Sequence, residues 1–321
     1  MKSVLFAFAL FLGLAAPGAT QPYPSKPIKV IVPYPAGGNA DITARVVSRK
    51  MSDILGVPVV VENRAGANGM IGTDIVAKSA PDGYTLIAPA SGPIVINPVL
   101  YSKVPYDSVK DLQPISQLTS FQYVLIVPAS SPIKSIQDLV AQGKAQPGKL
   151  SYGSTGIGGG GHLAGEMFAL LSGAQFNHIP YKGSAPALVD LLGGQLSFTF
   201  DTVSTSTPLI AEKRVRAFAV SGPTRASSLP DVPTMAELGF KDFDVTQFIS
   251  LLAPAKTDPA IIKKLQEAVA LALKDPDVIQ NLQVKGGNDL VGSTPEAFAE
   301  LIQKELKMYG ALIKKANIKQ E

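Results

Sequence analysis

The stretch IKVIVPYPAGGNADITARVVSRKMSDILGVPVVVEN, residues 28–63, decides the architecture. IKVIVPY (28–34) is rich in Ile and Val, the composition of a strand buried on both faces. PAGGNAD (35–41) turns the chain into ITARVVSRKMSDIL, where Ala44, Val47, Met51 and Ile54 recur at three- and four-residue intervals. Arg45, Arg49 and Lys50 fall elsewhere on the wheel, so the spacing predicts an amphipathic helix. VPVVVEN (57–63) is the next strand. Strand, helix and strand in this order predict parallel pairing through a right-handed crossover.

Outward from this unit the rhythm repeats. RAGANG leads into a helix around IGTDIVAKSA, Pro81-Asp82-Gly83 ends it, and YTLIAPA is a third strand. DLQPISQLTSFQYVLIVPASSP (111–132) is long and extended, with no helical period. A second β/α series follows: KLSYGS, QFNHIPY, QLSFTFD and RVRAFAV as strands, HLAGEMFALLSG and APALVDLLGG as helices. FDVTQFISLLAP (243–254) is a second extended stretch that closes the series. Beyond it Asp258-Pro259 and Thr294-Pro295 each pair an N-cap candidate with proline at the first helical position, and the first of these helices is predicted to run to Leu273. Two β/α series separated by two long strands imply a lobe that is entered, left and re-entered, with a cleft between lobes. A single wide doubly wound sheet is the alternative arrangement. The expected boundaries are 20–122 for the first part of lobe 1, 123–244 for lobe 2, and 245–321 for the return to lobe 1 with its C-terminal helices.

The first residues, MKSVLFAFALFLGLAAPGATQ, carry Lys2 and then thirteen apolar or small residues from Val4 to Ala16. That is a secretory signal peptide, expected over 1–19, with Ala16-Pro17-Gly18 as a competing cleavage site. The run is too short to span a bilayer. The expected location is the periplasm of a Gram-negative cell. The chain has no cysteine, which excludes disulfides, thiol nucleophiles and Cys-bound zinc. Its net charge of +4 becomes +3 once Lys2 leaves with the leader. Basic and acidic residues are interleaved, so a role on nucleic acid or on a membrane surface is not expected.

In a parallel β/α sheet ligands bind beyond the carboxyl ends of the strands. The candidate segments are 35–41, 90–93, 154–162, 182–186 and 201–206, rich in glycine and hydroxyl groups and poor in charge. GSTGIGGGGHLAGE (153–166) matches the glycine spacing of a dinucleotide turn and the frame of a phosphate loop. Both fail downstream. Residues 167–189 contain no acid for a ribose, and His162-Leu163 stand where a phosphate loop needs Lys and Ser or Thr. Two histidines, His162 and His178, cannot make a multi-histidine metal site, and no nucleophile elbow is present. No catalytic residue, metal site or cofactor is expected. Asp41 reads as a helix N-terminal residue, His162 as a structural or ligand-contacting residue, and Asp201 as a candidate contact. What remains is capture of a carboxylate by backbone N–H groups at glycine turns that open helices. One helix terminus contributes about 0.3–2 kcal/mol, whereas micromolar affinity needs about 8. Several termini must therefore converge.

YPSKPIKVIVPYPAGGNADITAR, VVVENRAGANGMIGTDIVAKSAPDGYTL, KLSYGSTGIGGGGHLAGE, HIPYKGSAPALVDLLGGQLSFTFD and RVRAFAVSGPTRASSLPDVPTMAELG closely resemble the Bug receptors, the extracytoplasmic solute-binding proteins of tripartite tricarboxylate transporters. The likeness covers essentially all of the mature chain, in order. It implies an α/β, two-lobed periplasmic binding protein of type II-like form, each lobe a β/α sandwich, with two crossover strands as the hinge. It implies a small carboxylate as ligand, membrane permease subunits or a sensor protein as partner, and a monomer. Carried onto this chain, the ligand-binding positions are Tyr34, Pro35, Ala36, Gly37, Gly38 and Asp41 in the first lobe. In the second they are Ser154, Thr155, Gly156, Gly158, His162 and Asp201, with Ser91 and Tyr181 as secondary positions. One departure is the run Gly158-Gly159-Gly160-Gly161, where such receptors commonly carry a side chain. It implies either extra room for a bulkier ligand or drift in a tolerant turn.

Overall fold

The opening βαβ unit forms as its pattern dictates. In the computed structural model, which describes residues 22–181 and 183–318, β1 (Ile28–Val32) is followed by α1 (Asn39–Leu55) and β2 (Val59–Asn63). The signal peptide expected at 1–19 lies outside the described residues. β1 pairs in parallel with β2 from Ile28↔Val59 to Val32↔Asn63. α2 (Met70–Ala77) then returns the chain to β3 (Thr85–Ile87), which lies parallel to β1 on its other side. A π-helical turn at Gly92–Ile96 continues into α3 (Asn97–Leu100).

The extended stretch at 111–132 becomes one 17-residue strand, β4 (Leu112–Pro128). Its first part pairs antiparallel with β9 (Thr246–Pro254), from Leu112↔Pro254 to Gln122↔Thr246. From Tyr123 onward the same strand joins a second sheet. Between these crossings lie α4 (Ile136–Ala145), β5 (Ser151–Ser154), α5 (Gly160–Ser172), β6 (Asn177–Pro180), α6 (Ser184–Leu192), β7 (Phe198–Thr202), α7 (Val203–Ala211) and β8 (Val215–Val220). β5 is parallel to both β6 and β7, whereas β7 and β8 run antiparallel to β4. Parallel pairing thus holds only inside each β/α series. The two long crossing strands are separated in sequence by the whole second β/α series rather than by a single crossover helix, and they pair antiparallel.

After β9 come α8 (Pro259–Ala272), α9 (Pro276–Ile279), β10 (Asp289–Leu290) and α10 (Pro295–Lys315). Asp258 caps α8 by accepting from the Ala260 N–H at 2.7 Å, and Thr294 caps α10 through the Ala297 N–H at 3.2 Å. In the first lobe, Ala44, Val47 and Met51 of α1 pack with Ile28, Val30 and Val32 of β1 and with Leu265 and Val269 of α8. In the second, Phe168 sits edge-on to Phe198 and Phe200, with ring centroids 6.1 and 6.0 Å away. Each such side chain fully buried contributes about 1.5–3 kcal/mol. The result is a two-lobed α/β molecule, its lobes joined by β4 and by the chain entering β9.

Candidate functional site

Between the lobes lies a cavity of about 440 Å³. The loop from β1 to α1 supplies Tyr34, Pro35, Ala36 and Gly38, the start of α1 supplies Asn39 and Ala40, and the second lobe supplies Thr155 and Gly183. Ala90, Phe121 of β4 and Ile249 of β9 complete the lining. Among the described residues none of the lining side chains is charged. The volume is in the range of small-molecule sites.

Five of the residues expected at a site therefore line the cavity: Tyr34, Pro35, Ala36, Gly38 and Thr155. Gly183 and Ala90 belong to segments after strands that were marked as candidates. Phe121 and Ile249 lie within strands, where a rule that looks only beyond strand ends does not reach.

The remaining expected residues are not among those that line the cavity, and several of them fasten the turns that do. Asp41, 3% exposed, accepts from the Gly37 N–H at 2.9 Å, from Arg45 Nε at 3.0 Å and from Asn63 Nδ2 at 2.8 Å. Burial alone would raise its carboxyl, but the bonds from Arg45, Gly37 and Asn63 hold it below the usual carboxylate range. Asn63 also donates to the Tyr34 carbonyl at 3.1 Å. Asp41 thus ties both ends of the 34–41 loop to α1, and Gly37 takes its left-handed φ of 86° inside that tie. α1 then opens at Gly38 with no side-chain cap, so the first N–H groups of the helix are left for another acceptor.

The second-lobe turn is held by two histidines. His162 Nδ1 accepts from the Gly158 N–H at 3.1 Å, and His178 Nε2 lies 2.7 Å from Ser154 Oγ. Because a backbone N–H can only donate, Nδ1 of His162 is unprotonated and the ring proton is on Nε2. Ser154 Oγ in turn accepts from the Gly156 N–H at 3.2 Å. The two imidazoles stack with centroids 4.0 Å apart. Burial, together with the neighbouring His178, lowers His162 to about 3, and burial lowers His178 to about 4. Both rings are neutral at ordinary pH. α5 opens from this turn at Gly159, again without a side-chain cap.

Ser91 is fully buried and accepts from the Phe248 N–H at 2.8 Å, fixing the segment after β3 to β9. The Tyr181 hydroxyl donates to Asp190 at 2.7 Å. Asp201, 4% exposed, is not among the lining residues and accepts from Ser184 and Thr205, and from Ser206 at 3.2 Å, pinning the starts of α6 and α7. The segment 201–206 is not a loop: α7 begins at Val203.

Neither expectation for the run Gly158 to Gly161 survives. A Cβ at Gly160 would enter the Tyr123 ring, one at Gly161 would lie 2.5 Å from the Phe200 carbonyl oxygen, and one at Gly159 3.0 Å from Thr155 Oγ1. At Gly158 it would strike Leu100 of α3, in the other lobe. The glycines let the start of α5 press against β4 and β7 and let the lobes touch, so the run adds no room to the cavity.

No group of three or more His, Cys, Asp or Glu among the described residues is placed to hold a metal ion. No helix among them is long and apolar enough to cross a membrane.

Comparison with known proteins gives one consistent picture. A family profile described as "Tripartite tricarboxylate transporter family receptor" matches residues 43–318. Protein BugT of Bordetella pertussis is 38% identical over 320 residues, covering 99% of this chain and 98% of BugT. The solved periplasmic binding protein BugD is 34% identical with a TM-score of 0.79, covering 93% of this chain and 100% of that one. A structure of R. palustris Rpa4515 with adipate is 31% identical with a TM-score of 0.82, covering 92% of this chain and 99% of that one.

Proposed function

This chain belongs to the Bug receptors of the tripartite tricarboxylate transporter family, and from that premise we propose that it captures a small carboxylate-bearing solute between its lobes and hands it to the membrane permease subunits of such a transporter. The observation that carries the proposal is a single cavity lined from both lobes, with the uncapped start of α1 on one side and the glycine turn before α5 on the other. Helix N-termini of this kind favour an anion through oriented N–H groups and the macrodipole. The adipate held by Rpa4515 supports a carboxylate as the ligand class. In this proposal Tyr34, Pro35, Ala36, Gly38, Thr155 and Gly183 meet the ligand. Asp41, Gly37, Ser154, Gly156, Gly158 and His162 keep the two turns in shape. The receptor is exported to the periplasm by its leader, acts as a monomer and catalyses no reaction. Presentation of the closed form to a membrane sensor is the second use the same geometry allows.

A thermal-shift screen of mono-, di- and tricarboxylates, amino acids and aromatic acids, confirmed by calorimetry, tests the proposal. A ligand present at 100 times its Kd raises stability by about 2.7 kcal/mol. Turnover of a bound acid to product would replace the receptor with an enzyme, and failure of every acid to shift the transition would end the carboxylate proposal.

Gly37→Val and Gly156→Val are expected to leave the protein folded while weakening binding at least tenfold, about 1.4 kcal/mol. Nothing lies within 4 Å of a Cβ at Gly37, but its φ of 86° strains any β-branched residue, and φ at Gly156 is 124°. Calorimetry on both variants is the check. Unchanged affinity in both would remove these turns from the site.

A further inference from the structure

The lining of the cleft narrows the ligand further. This step rests on the receptor proposal above. Pro35, Ala36, Ala40, Ala90, Phe121 and Ile249 present carbon surface to the cavity, with the two hinge-strand residues Phe121 and Ile249 among them. The polar side chains of the lining offer little. The Asn39 amide is committed in both directions to Asn288, donating at 2.9 Å and accepting at 3.0 Å. Arg45, the basic residue closest in sequence to the loop, is not among the lining residues, and its Nε is engaged with Asp41 and its Nη2 with Asn63 Oδ1 at 2.8 Å. Thr155 and Tyr34 bring hydroxyl groups. Backbone N–H groups at the two turns can hold a carboxylate, but hydroxyls or further carboxylates in the middle of the cavity would face Ala90, Phe121 and Ile249 and lose their water without a partner.

We infer that this receptor selects acids with an apolar body, aromatic or aliphatic, and discriminates against hydroxylated and tricarboxylic acids. A buried polar group left unpaired weakens binding by roughly tenfold or more, whereas carbon surface transferred from water onto Phe121 and Ile249 strengthens it. The same site that holds the head group through backbone therefore reads the body of the ligand through its apolar wall.

Calorimetry on the mature chain at one ionic strength tests this with hexanoate, benzoate and phenylacetate against malate, tartrate, citrate and glutamate. At least one apolar-bodied acid is expected to bind ten times or more tighter than every member of the second set. Phe121→Ser is expected to weaken the apolar acids at least tenfold and to narrow that gap. Phe121 lies on the hinge strand, so Ala90→Leu, which fills part of the cavity, is the second variant and is expected to exclude phenylacetate before hexanoate. Tighter binding of malate, tartrate, citrate or glutamate, or affinities equal within tenfold, overturns the selectivity and leaves the carboxylate receptor standing. Binding of none of the acids in either set overturns this inference, and the broader screen then decides the receptor proposal itself.

Discussion

Between pH 7 and pH 5 the protein is expected to lose on the order of 4 kcal/mol of stability relative to a His162→Asn/His178→Gln double variant. Burial and the adjacent ring hold His162 near 3, and burial holds His178 near 4, against an ordinary value of 6.5. Above 6.5 neither state binds these protons, and the stability is fully present. Below it the unfolded chain takes up protons that the folded one refuses, so stability falls until pH passes the folded values. Each such proton withdraws about 1.4 kcal/mol per pH unit, and a typical domain has only about 5–15 kcal/mol in all. Glu166, whose Oε1 lies 3.8 Å from His162 Nε2, has its carboxyl raised by burial and acts with the opposite sign. The comparison with the variant cancels that contribution. Carboxylates held below their usual range, such as Asp41 and Glu237, are still charged at pH 5. Urea unfolding of both proteins at pH 7, 6 and 5 makes the measurement. Parallel stability profiles would show that the stacked rings protonate freely.

The histidine pair also marks the boundary of what could be read in the sequence. The strands of both β/α series and the helices α1, α2, α5 and α6 were legible because buried parallel strands are short apolar runs and crossover helices carry a 3.6-residue period, as Ala44, Val47 and Met51 do. The two crossing strands were legible because 111–132 and 243–254 are extended without a helical period. α4 and α7 were not read: α4 does carry a capped helical period, Ser135 followed by Ile136, Leu139 and Val140, whereas α7 opens in the hydroxyl-rich run 201–206 that has the composition of a loop. The candidate cavity was legible where a glycine turn opens a helix, at Gly38, with Gly37 and Gly156 marking the turns beside it by their positive φ. It was illegible where residues far apart in sequence meet, as His162 and His178 do, and where strand interiors line a cavity, as Phe121 and Ile249 do. Asp41 and Asp201 show the converse difficulty. An acid at a strand end or helix start looks the same in sequence whether it meets a ligand or fastens its own loop. Only the bonds from Gly37, Arg45 and Asn63 to Asp41, and from Ser184, Thr205 and Ser206 to Asp201, show them fastening.

Glu305→Gln is expected to raise stability at pH 9 by on the order of 5 kcal/mol and to leave it nearly unchanged at pH 4.5. Glu305 occupies the apolar stripe of α10, between Ile302 and Tyr309, and is 7% exposed. Its Oε2 has no hydrogen-bond partner among the described residues. Burial, reinforced by Asp244 and opposed by Lys304, pushes its carboxyl up to about 8 from an ordinary 4.5. A folded-state value above the unfolded one means that stability is fully present below 4.5 and drains away as pH rises to about 8. Past that point the folded protein carries a buried, unpaired carboxylate. Glutamine has the shape of the protonated acid and no charge to bury, so its variant should lack this decline. The position gives the loss a location. Glu305 faces a cavity of about 230 Å³ lined by Gln117 and Gln122 of β4 and by Asp244 beside β9, where α10 meets the strands that join the lobes. Ionisation favours water in that cavity over the packed helix, so amide exchange in α10 of the native protein should accelerate between pH 6 and pH 9 beyond the acceleration in the variant. Identical exchange in the two proteins, together with parallel urea profiles, would mean that Glu305 reaches solvent in the native state and titrates as an ordinary surface acid.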